Sequence, residues 1–470
     1  MRRLADLQPA RVFYYFEELA AIPHGSGNTA AISDYCVAFA REHGLYVRQD
    51  ALGNVVIKKP AAAGYENHPA VILQGHLDMV CEKAPDCALD MAIDGLDLAV
   101  DGDWLHANGT TLGGDDGIAI AMALAILESD DLLHPPLEVL FTVDEEIGLL
   151  GAAGLDGADL DARMLINIDS EDEGVLTVSC AGGVRADITL PIERIYNSWN
   201  TYKITVDGLQ GGHSGMEIDK GRLNANILIG EFLNTLETYR IVRLEGGQKD
   251  NAIPCAATCV LAATRDITTL GESFAQAHRT ENEPNLTVKV EHAVAENYTL
   301  TDESTKRIVD FLTTTPNGIV SMSEDIDGLV QTSLNLGILS THENAVRCGF
   351  GIRSSVDNEK AALLDKVKSV AETCGGTCDS YADYPAWEYR KSSELRDTMC
   401  AVWECLFNTK AKVIAIHAGL ECGILCEKLN GLDAVSIGPA MQDIHTCRER
   451  LSVSSAERVY RYVCEVLKNL

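Results

Sequence analysis

Residues 70–74 run Ala-Val-Ile-Leu-Gln, and Gly75-His76-Leu77-Asp78 follows them directly. An apolar run of strand length that stops at polar residues predicts a buried strand with a polar site at its carboxyl end. The pattern recurs: residues 136–143 precede Asp144-Glu145-Glu146-Ile147-Gly148, and residues 164–168 precede Asp169. Helical spacing intervenes. Phe13, Phe16, Leu19 and Ala20 mark an amphipathic helix over 9–21, and residues 26–29 offer caps to a second helix that Gly44 ends. Residues 118–127 form a helix behind the glycine-rich turn Leu112-Gly113-Gly114-Asp115-Asp116-Gly117, and residues 46–59 read as two strands around Leu52-Gly53-Asn54. Strands alternating with helices predict an α/β domain with a mostly parallel sheet flanked by helices on both faces.

Past about residue 186 the character changes. Strands are predicted at 202–206, 258–263, 287–291, 333–339 and 346–352, with helical stretches at 222–237, 304–314 and 358–372. From about residue 386 the first pattern resumes, with strands at 413–416 and 434–437. The expected organisation is therefore an α+β domain, 187–385, inserted into a discontinuous α/β domain made of 1–186 and 386–470.

A chain of 470 residues, 46% hydrophobic and 23% charged, has the size and composition of a two-domain globular protein. Its net charge of −32 speaks against nucleic acid or an anionic membrane surface as partner, since both recruit clustered lysine and arginine. The first residues lack the apolar core of a signal peptide, and no apolar run reaches membrane-spanning length. The 15 cysteines, an odd number, read as reduced thiols of a cytoplasmic protein. The pairs Cys255/Cys259, Cys374/Cys378 and Cys422/Cys426 have three-residue gaps, unlike a zinc knuckle or redox pair, and are read as packing.

His76, Asp78, Asp115, Glu145, Glu146 and Asp169 share a placement: each follows a predicted strand or sits in a glycine-rich turn before a helix. In a parallel sheet such positions gather on one edge. An imidazole with several carboxylates there suits one or two divalent ions, zinc first and manganese or cobalt next. The His-x-Asp spacing lets Asp78 hold one imidazole nitrogen while the other faces the metal. Asp115 can bridge two ions, or with Asp116 can simply cap the following helix. Of Glu145 and Glu146, one can ligate while its neighbour takes a proton from an activated water. Other schemes fit poorly. His342-Glu343 has Val346 where a zincin helix needs its second histidine, and Gly212-His213-Ser214-Gly215 lacks the nucleophile-elbow pattern.

Gly75-His76-Leu77-Asp78, Leu112-Gly113-Gly114-Asp115-Asp116-Gly117, Asp144-Glu145-Glu146-Ile147-Gly148, Ile168-Asp169-Ser170-Glu171 and Asp443-Ile444-His445-Thr446 occur in this order. In that order they resemble the motifs of the dinuclear zinc peptidases, which include aminoacylases, glutamate carboxypeptidases and dipeptidases. The likeness is greatest to the aminoacyl-histidine (Xaa-His, carnosinase-like) dipeptidases and runs nearly the whole chain. It implies that His76, Asp115 and Asp169 hold one zinc, and that Asp115, Glu146 and His445 hold the other, with a water or hydroxide between them. Asp78 would orient His76, and Glu145 would be general base and then acid. The inserted domain would be a lid. Its Gln210-Gly211-Gly212-His213-Ser214-Gly215 would bring His213 to the scissile carbonyl, and Asn251 and Arg353 would bind the substrate's backbone and carboxylate. His417-Ala418-Gly419-Leu420-Glu421-Cys422-Gly423 matches a catalytic-domain loop lining the pocket, where Gly419 offers backbone contact. Gly114 departs from the pattern, since many relatives carry alanine there.

The expectation is thus a cytoplasmic metallopeptidase with two Zn2+ per chain (Mn2+ or Co2+ as substitutes), hydrolysing dipeptides with an unblocked amine. Deacylation of N-acyl amino acids, or carboxypeptidase action, is the alternative on the same scaffold. A small peptide is the expected partner, with the chain acting as monomer or homodimer.

Overall fold

A computed structural model describes residues 2–470. The chain forms two compact units: Met1–Ser179 with Tyr389–Ala415 and Leu420–Leu470, and Cys180–Glu388 with Ile416–Gly419.

The first unit opens with α1 (Ala10–Ala20), α2 (Ala30–Glu42), β1 (Tyr46–Gln49), β2 (Val55–Lys59) and β3 (Val71–His76). There follow β4 (Leu98–Asp101), β5 (Trp104–Ala107), α3 (Gly114–Glu128), β6 (Leu137–Thr142), α4 (Leu150–Gly154), β7 (Met164–Asn167) and β8 (Val175–Cys180). Its eight-stranded sheet has the order β1, β2, β6, β3, β7, Asp433–Ser436, β8, Lys412–Ile416. At the centre β6, β3, β7 and Asp433–Ser436 run parallel, as strands joined by long crossovers do. Towards the edges β1 pairs antiparallel with β2, β2 with β6, and β8 with Asp433–Ser436. The turn at Leu52-Gly53-Asn54 is too short for a crossover, so β2 folds straight back on β1. The predicted mostly parallel sheet is therefore the centre of a mixed one.

From Gly114 to Leu127 every residue of α3 is buried, the signature of a helix covered on all sides. α1 packs on it, with the Phe16 ring against Gly117. Gly75 lets α3 approach β3: a Cβ there would collide with the Asp116 carboxylate and lie 2.7 Å from the Ala119 Cβ. Thr29 stands at the N-cap of α2 with helical backbone angles, and its side chain makes no cap bond. The register sets His76 beside Thr142 and Gln74 beside Asn167. The residues that follow β3, β6 and β7 therefore leave the sheet at one edge.

The second unit is an α+β structure around a nine-stranded antiparallel sheet. Helices occupy Ala225–Asn234, Leu270–His278, Asp302–Thr314 and Asp357–Thr373. The division at Ser179/Cys180 falls earlier in the chain than the sequence-based limit at 186. Gly182–Pro191 is one continuous strand paired along its length with Ala345–Ser354, so the chain cannot change units in its middle. Residues 416–419 also belong to this unit, whereas the sequence motif places them in a loop of the first. Ala181 donates its backbone N–H to the carbonyls of Ile416 and Ala418, and His417 Nε2 lies 2.7 Å from Ser333 Oγ.

Candidate metal centre

At the carboxyl edge of the first sheet, His76 is the last residue of β3 and is buried. Its Nδ1–H donates to the Asp78 backbone carbonyl at 2.9 Å, while the nearer Asp78 carboxylate oxygen stands 3.6 Å away. With Nδ1 so committed, the neutral ring presents a lone pair at Nε2. That lone pair faces Asp115 Oδ1 at 3.0 Å and Asp169 Oδ1 at 3.6 Å. Acceptors facing acceptors need a cation between them, a proton or a metal ion. Burial alone would lower the His76 pKa, yet Asp115, Asp169 and Asp78 together hold it well above the usual range.

Asp115 is the hub. While its Oδ1 faces His76, its Oδ2 lies 3.1 Å from His445 Nε2, and the same nitrogen is 2.8 Å from Glu146 Oε1. Bonds to Asp115 and Glu146 push His445 up to about 10. Asp115 itself is depressed despite burial, because both imidazoles favour its charged form. Atoms able to ligate a metal gather into overlapping groups within 4.8 Å of one another: His76, Asp116 and Asp169; His76, Glu145 and Glu146; and Asp115, Glu146 and His445.

Turn geometry aims these groups. Asp144 (φ 54°), Asp443 (φ 54°) and His445 (φ 59°) are left-handed, a conformation that aspartate tolerates better than most residues. The Asp115–Asp116 peptide is cis. Asp78 braces the neighbouring turn, its Oδ1 accepting the Glu145 N–H at 2.9 Å and its Oδ2 the Glu146 N–H at 3.3 Å and the Ser26 hydroxyl at 2.8 Å. Burial lifts the Glu145 pKa well above normal, and although His76 opposes this, the carboxylates of Asp169, Glu421 and Glu146 add to it.

The donor set fits a pair of divalent ions. Asp115, Asp116, Glu145, Glu146 and Asp169 converge, and among the described residues none of them ion-pairs with lysine or arginine. Asp116 Oδ1 is buried without a hydrogen-bond partner. Dications placed there would reverse the local field that now favours the protonated forms of Asp116, Glu145, Glu146 and Asp169.

The sequence-named residues of the second unit fall into one group. His213 pairs across a short bridge with Ala252, and Ser214 donates its N–H to the Asn251 carbonyl at 2.9 Å. Asn335, which the sequence reading did not name, clamps this turn by donating to the Asp250 and Ala252 carbonyls. His213 Nδ1 accepts the N–H groups of Gly215 and Met216, so the neutral ring carries its proton on Nε2. Burial, then Arg353, holds its pKa down and keeps it neutral. Arg353 is only 8% exposed; its Nη1 meets Tyr384 Oη at 3.0 Å and its buried Nε has no partner. Gly419 makes room for the Tyr384 ring, which a Cβ would meet at 2.7 Å.

Two further residues near the metal centre escaped sequence reasoning. Asp116, weighed there only as a helix cap, accepts the His76 backbone N–H at 3.1 Å. Glu421 is buried, and its Oε2 accepts from Gln74 at 2.6 Å and Thr142 at 2.7 Å, tying β3 to β6. Burial pushes it up to about 7. The sequence marks it only as a member of the 417–423 motif, without a role of its own.

Residues 72–469 match the model of peptidase family M20/M25/M40. The cytosol non-specific dipeptidase of Escherichia coli (strain K12) is 36% identical, the match covering 100% of this chain and 99% of the relative. The crystal structure of aminoacylhistidine dipeptidase from Vibrio alginolyticus superposes with a TM-score of 0.95 at 36% identity, covering 99% and 98% of the two chains. The aminopeptidase PepT structure from Bacillus cereus ATCC 10987, at 15% identity and TM-score 0.58, shares the fold. The chain is a member of peptidase family M20/M25/M40.

Proposed function

We propose that this protein is a cytoplasmic dipeptidase working with two metal ions, zinc first, and that it cleaves dipeptides bearing a free amine. The observation that carries the reading is Asp115, whose two oxygens face two different histidines at 3.0 and 3.1 Å, with Glu145 in the adjoining group. His76, Asp115 and Asp169 would hold one ion and Asp115, Glu146 and His445 the other. When bound, such ions acidify water and polarise the scissile carbonyl. Glu145 takes the proton of the attacking water on its carboxylate and passes it to the leaving amine nitrogen. Asp78 keeps Glu145 in place through the backbone bond just described.

The second unit serves as the substrate-binding lid. His213, neutral with its proton on Nε2, is suited to donate to a carbonyl oxygen that becomes an oxyanion. Arg353, with an unpartnered buried Nε, is suited to a terminal carboxylate, and Asn251 and Gly419 to the substrate backbone. The strongly acidic chain offers no footprint for nucleic acid, and among the described residues no helix is long and apolar enough to cross a membrane. The relatives' names place them among dipeptidases, one of them cytosolic.

The test is hydrolysis of β-alanyl-histidine, several α-dipeptides, a tripeptide and an N-acetyl amino acid by metal-loaded protein. Cleavage of free-amine dipeptides alone, abolished by chelator, is the expected result. Turnover of the N-acetyl compound instead would make the protein a deacylase.

A further inference from the structure

The N-terminus of α3 has no cap of its own. Gly113, at the N-cap, is left-handed (φ 66°) and supplies no side chain, and Asp115 (φ −83°, ψ 101°) and Asp116 (φ −119°, ψ 27°) depart from helical geometry, so the amide groups of this irregular turn need an acceptor from elsewhere. They find it in Glu449, which is 3% exposed and more than 300 residues distant in the chain. Its Oε2 accepts the N–H groups of Leu112 at 2.8 Å and Gly113 at 3.2 Å. Its Oε1 accepts those of Gly114 at 2.8 Å and Asp115 at 3.3 Å. One carboxylate thus fixes the backbone of the turn that carries the bridging aspartate.

Glu449 also belongs to the loop that carries His445. The strands Met441–Gln442 and Arg450–Ser452 flank that loop, pairing Gln442 with Arg450 and Met441 with Leu451. Arg450–Ser452 pairs in turn with β5, Leu451 opposite Leu105. Within the loop Thr446 Oγ1 donates to the Asp443 carbonyl at 2.7 Å and accepts the Arg448 N–H at 3.1 Å. A short, internally braced segment therefore grips Asp115 at both ends. Glu449 holds its backbone N–H, and His445 meets its Oδ2 at 3.1 Å.

We infer that Glu449 is a positioning residue that sets Asp115 against His445 and so governs filling of the metal position made by Asp115, Glu146 and His445. The inference rests on the two-metal reading. Residues that orient a ligand from behind typically change metal affinity 10–100-fold when altered. Glu449→Gln keeps the shape but turns an N–H2 towards amide donors. Glu449→Asp keeps the charge but is one methylene too short to serve both pairs.

The experiment is titration of metal-free wild type, Glu449→Gln and Glu449→Asp with Zn2+ by calorimetry and with Co2+ by visible absorption, alongside thermal melting of the metal-free proteins. The wild type is expected to take two ions. In the variants the weaker step should lose about 10–100-fold in affinity. The absorption of the second Co2+ equivalent should change, while the first step loses less affinity than the second and the metal-free proteins still melt cooperatively. Variants that titrate like the wild type would overturn the inference. So would equal loss of both steps with a collapsed melting point, since that marks a purely structural role. A wild type that takes fewer than two ions sinks the two-metal reading, and this inference with it. Should neither variant fold, amide exchange in the wild type decides. Metal binding and the hydrogen bonds to Glu449 are linked reciprocally, so the second equivalent of Zn2+ should slow exchange at residues 112–115. Unchanged exchange there overturns the proposal.

Discussion

Asp78 Oδ1 accepts the backbone N–H of Glu145 at 2.9 Å, whereas it is the Asp78 main-chain carbonyl that receives the His76 imidazole N–H. The carboxylate therefore belongs more to the turn bearing the proposed base than to the ligand. Asp78→Ala should leave His76 oriented by the carbonyl and metal content near two ions per chain, while kcat falls by about 10–100-fold. Metal analysis beside steady-state kinetics decides it. Loss of metal with activity in proportion would return the carboxylate to the role of holding His76.

Glu145→Gln removes the only step assigned to that side chain and leaves its volume. General acid–base groups contribute on the order of 10²–10⁴-fold, so kcat should fall within that range with KM and metal stoichiometry little changed. A variant retaining a tenth or more of wild-type kcat would show that another group moves the proton.

The parts of this centre visible in the linear chain were those whose signal is local. His76, Glu145, Glu146 and Asp169 each follow an apolar strand, and strand ends can be read from hydrophobic runs. The antiparallel flanks of the sheet and the strand that begins at Gly182 depend on which segments pair, which no local run encodes. Asp116 was visible only as a helix cap because its use depends on Gly75 letting α3 touch β3. The roles of Glu421 and Glu449 were invisible for the same kind of reason: their partners, Gln74 and Leu112, lie more than 300 residues away. His445 and the second-unit residues entered through family resemblance. That resemblance could name Arg353 but not the buried, partnerless Nε that now gives it a reason to bind an anion.

Arg353→Met should weaken capture of a free carboxylate. Hydrogen bonds to charged groups are worth roughly 1.5–3 kcal/mol, so KM for a dipeptide should rise by about 10–100-fold with kcat less affected. The corresponding dipeptide amide, already lacking the charge, should show a much smaller difference between variant and wild type. Equal effects on acid and amide would assign Arg353 to holding the fold, through its contact with Tyr384.

His417 makes acid a specific threat to the second unit. It is 6% exposed, and burial, followed by repulsion from Arg353, pushes it down to about 4 from an ordinary value of 6.5. Below pH 6.5 the unfolded chain protonates this ring while the folded unit does not. The unfolded state then binds more protons, and stability falls as pH falls from 6.5 towards 4. At 1.36 kcal/mol per pKa unit the loss from this residue reaches about 3 kcal/mol at the acid end. In His417→Gln the contact with Ser333 Oγ is disturbed, so the variant should start less stable at pH 7 by about 1 kcal/mol. Its melting temperature should then decline less steeply between pH 6.5 and 4.5, so that the two curves converge. Melting curves of both proteins across that range measure this directly, and parallel curves would show that the ring titrates in the folded unit as it does in water.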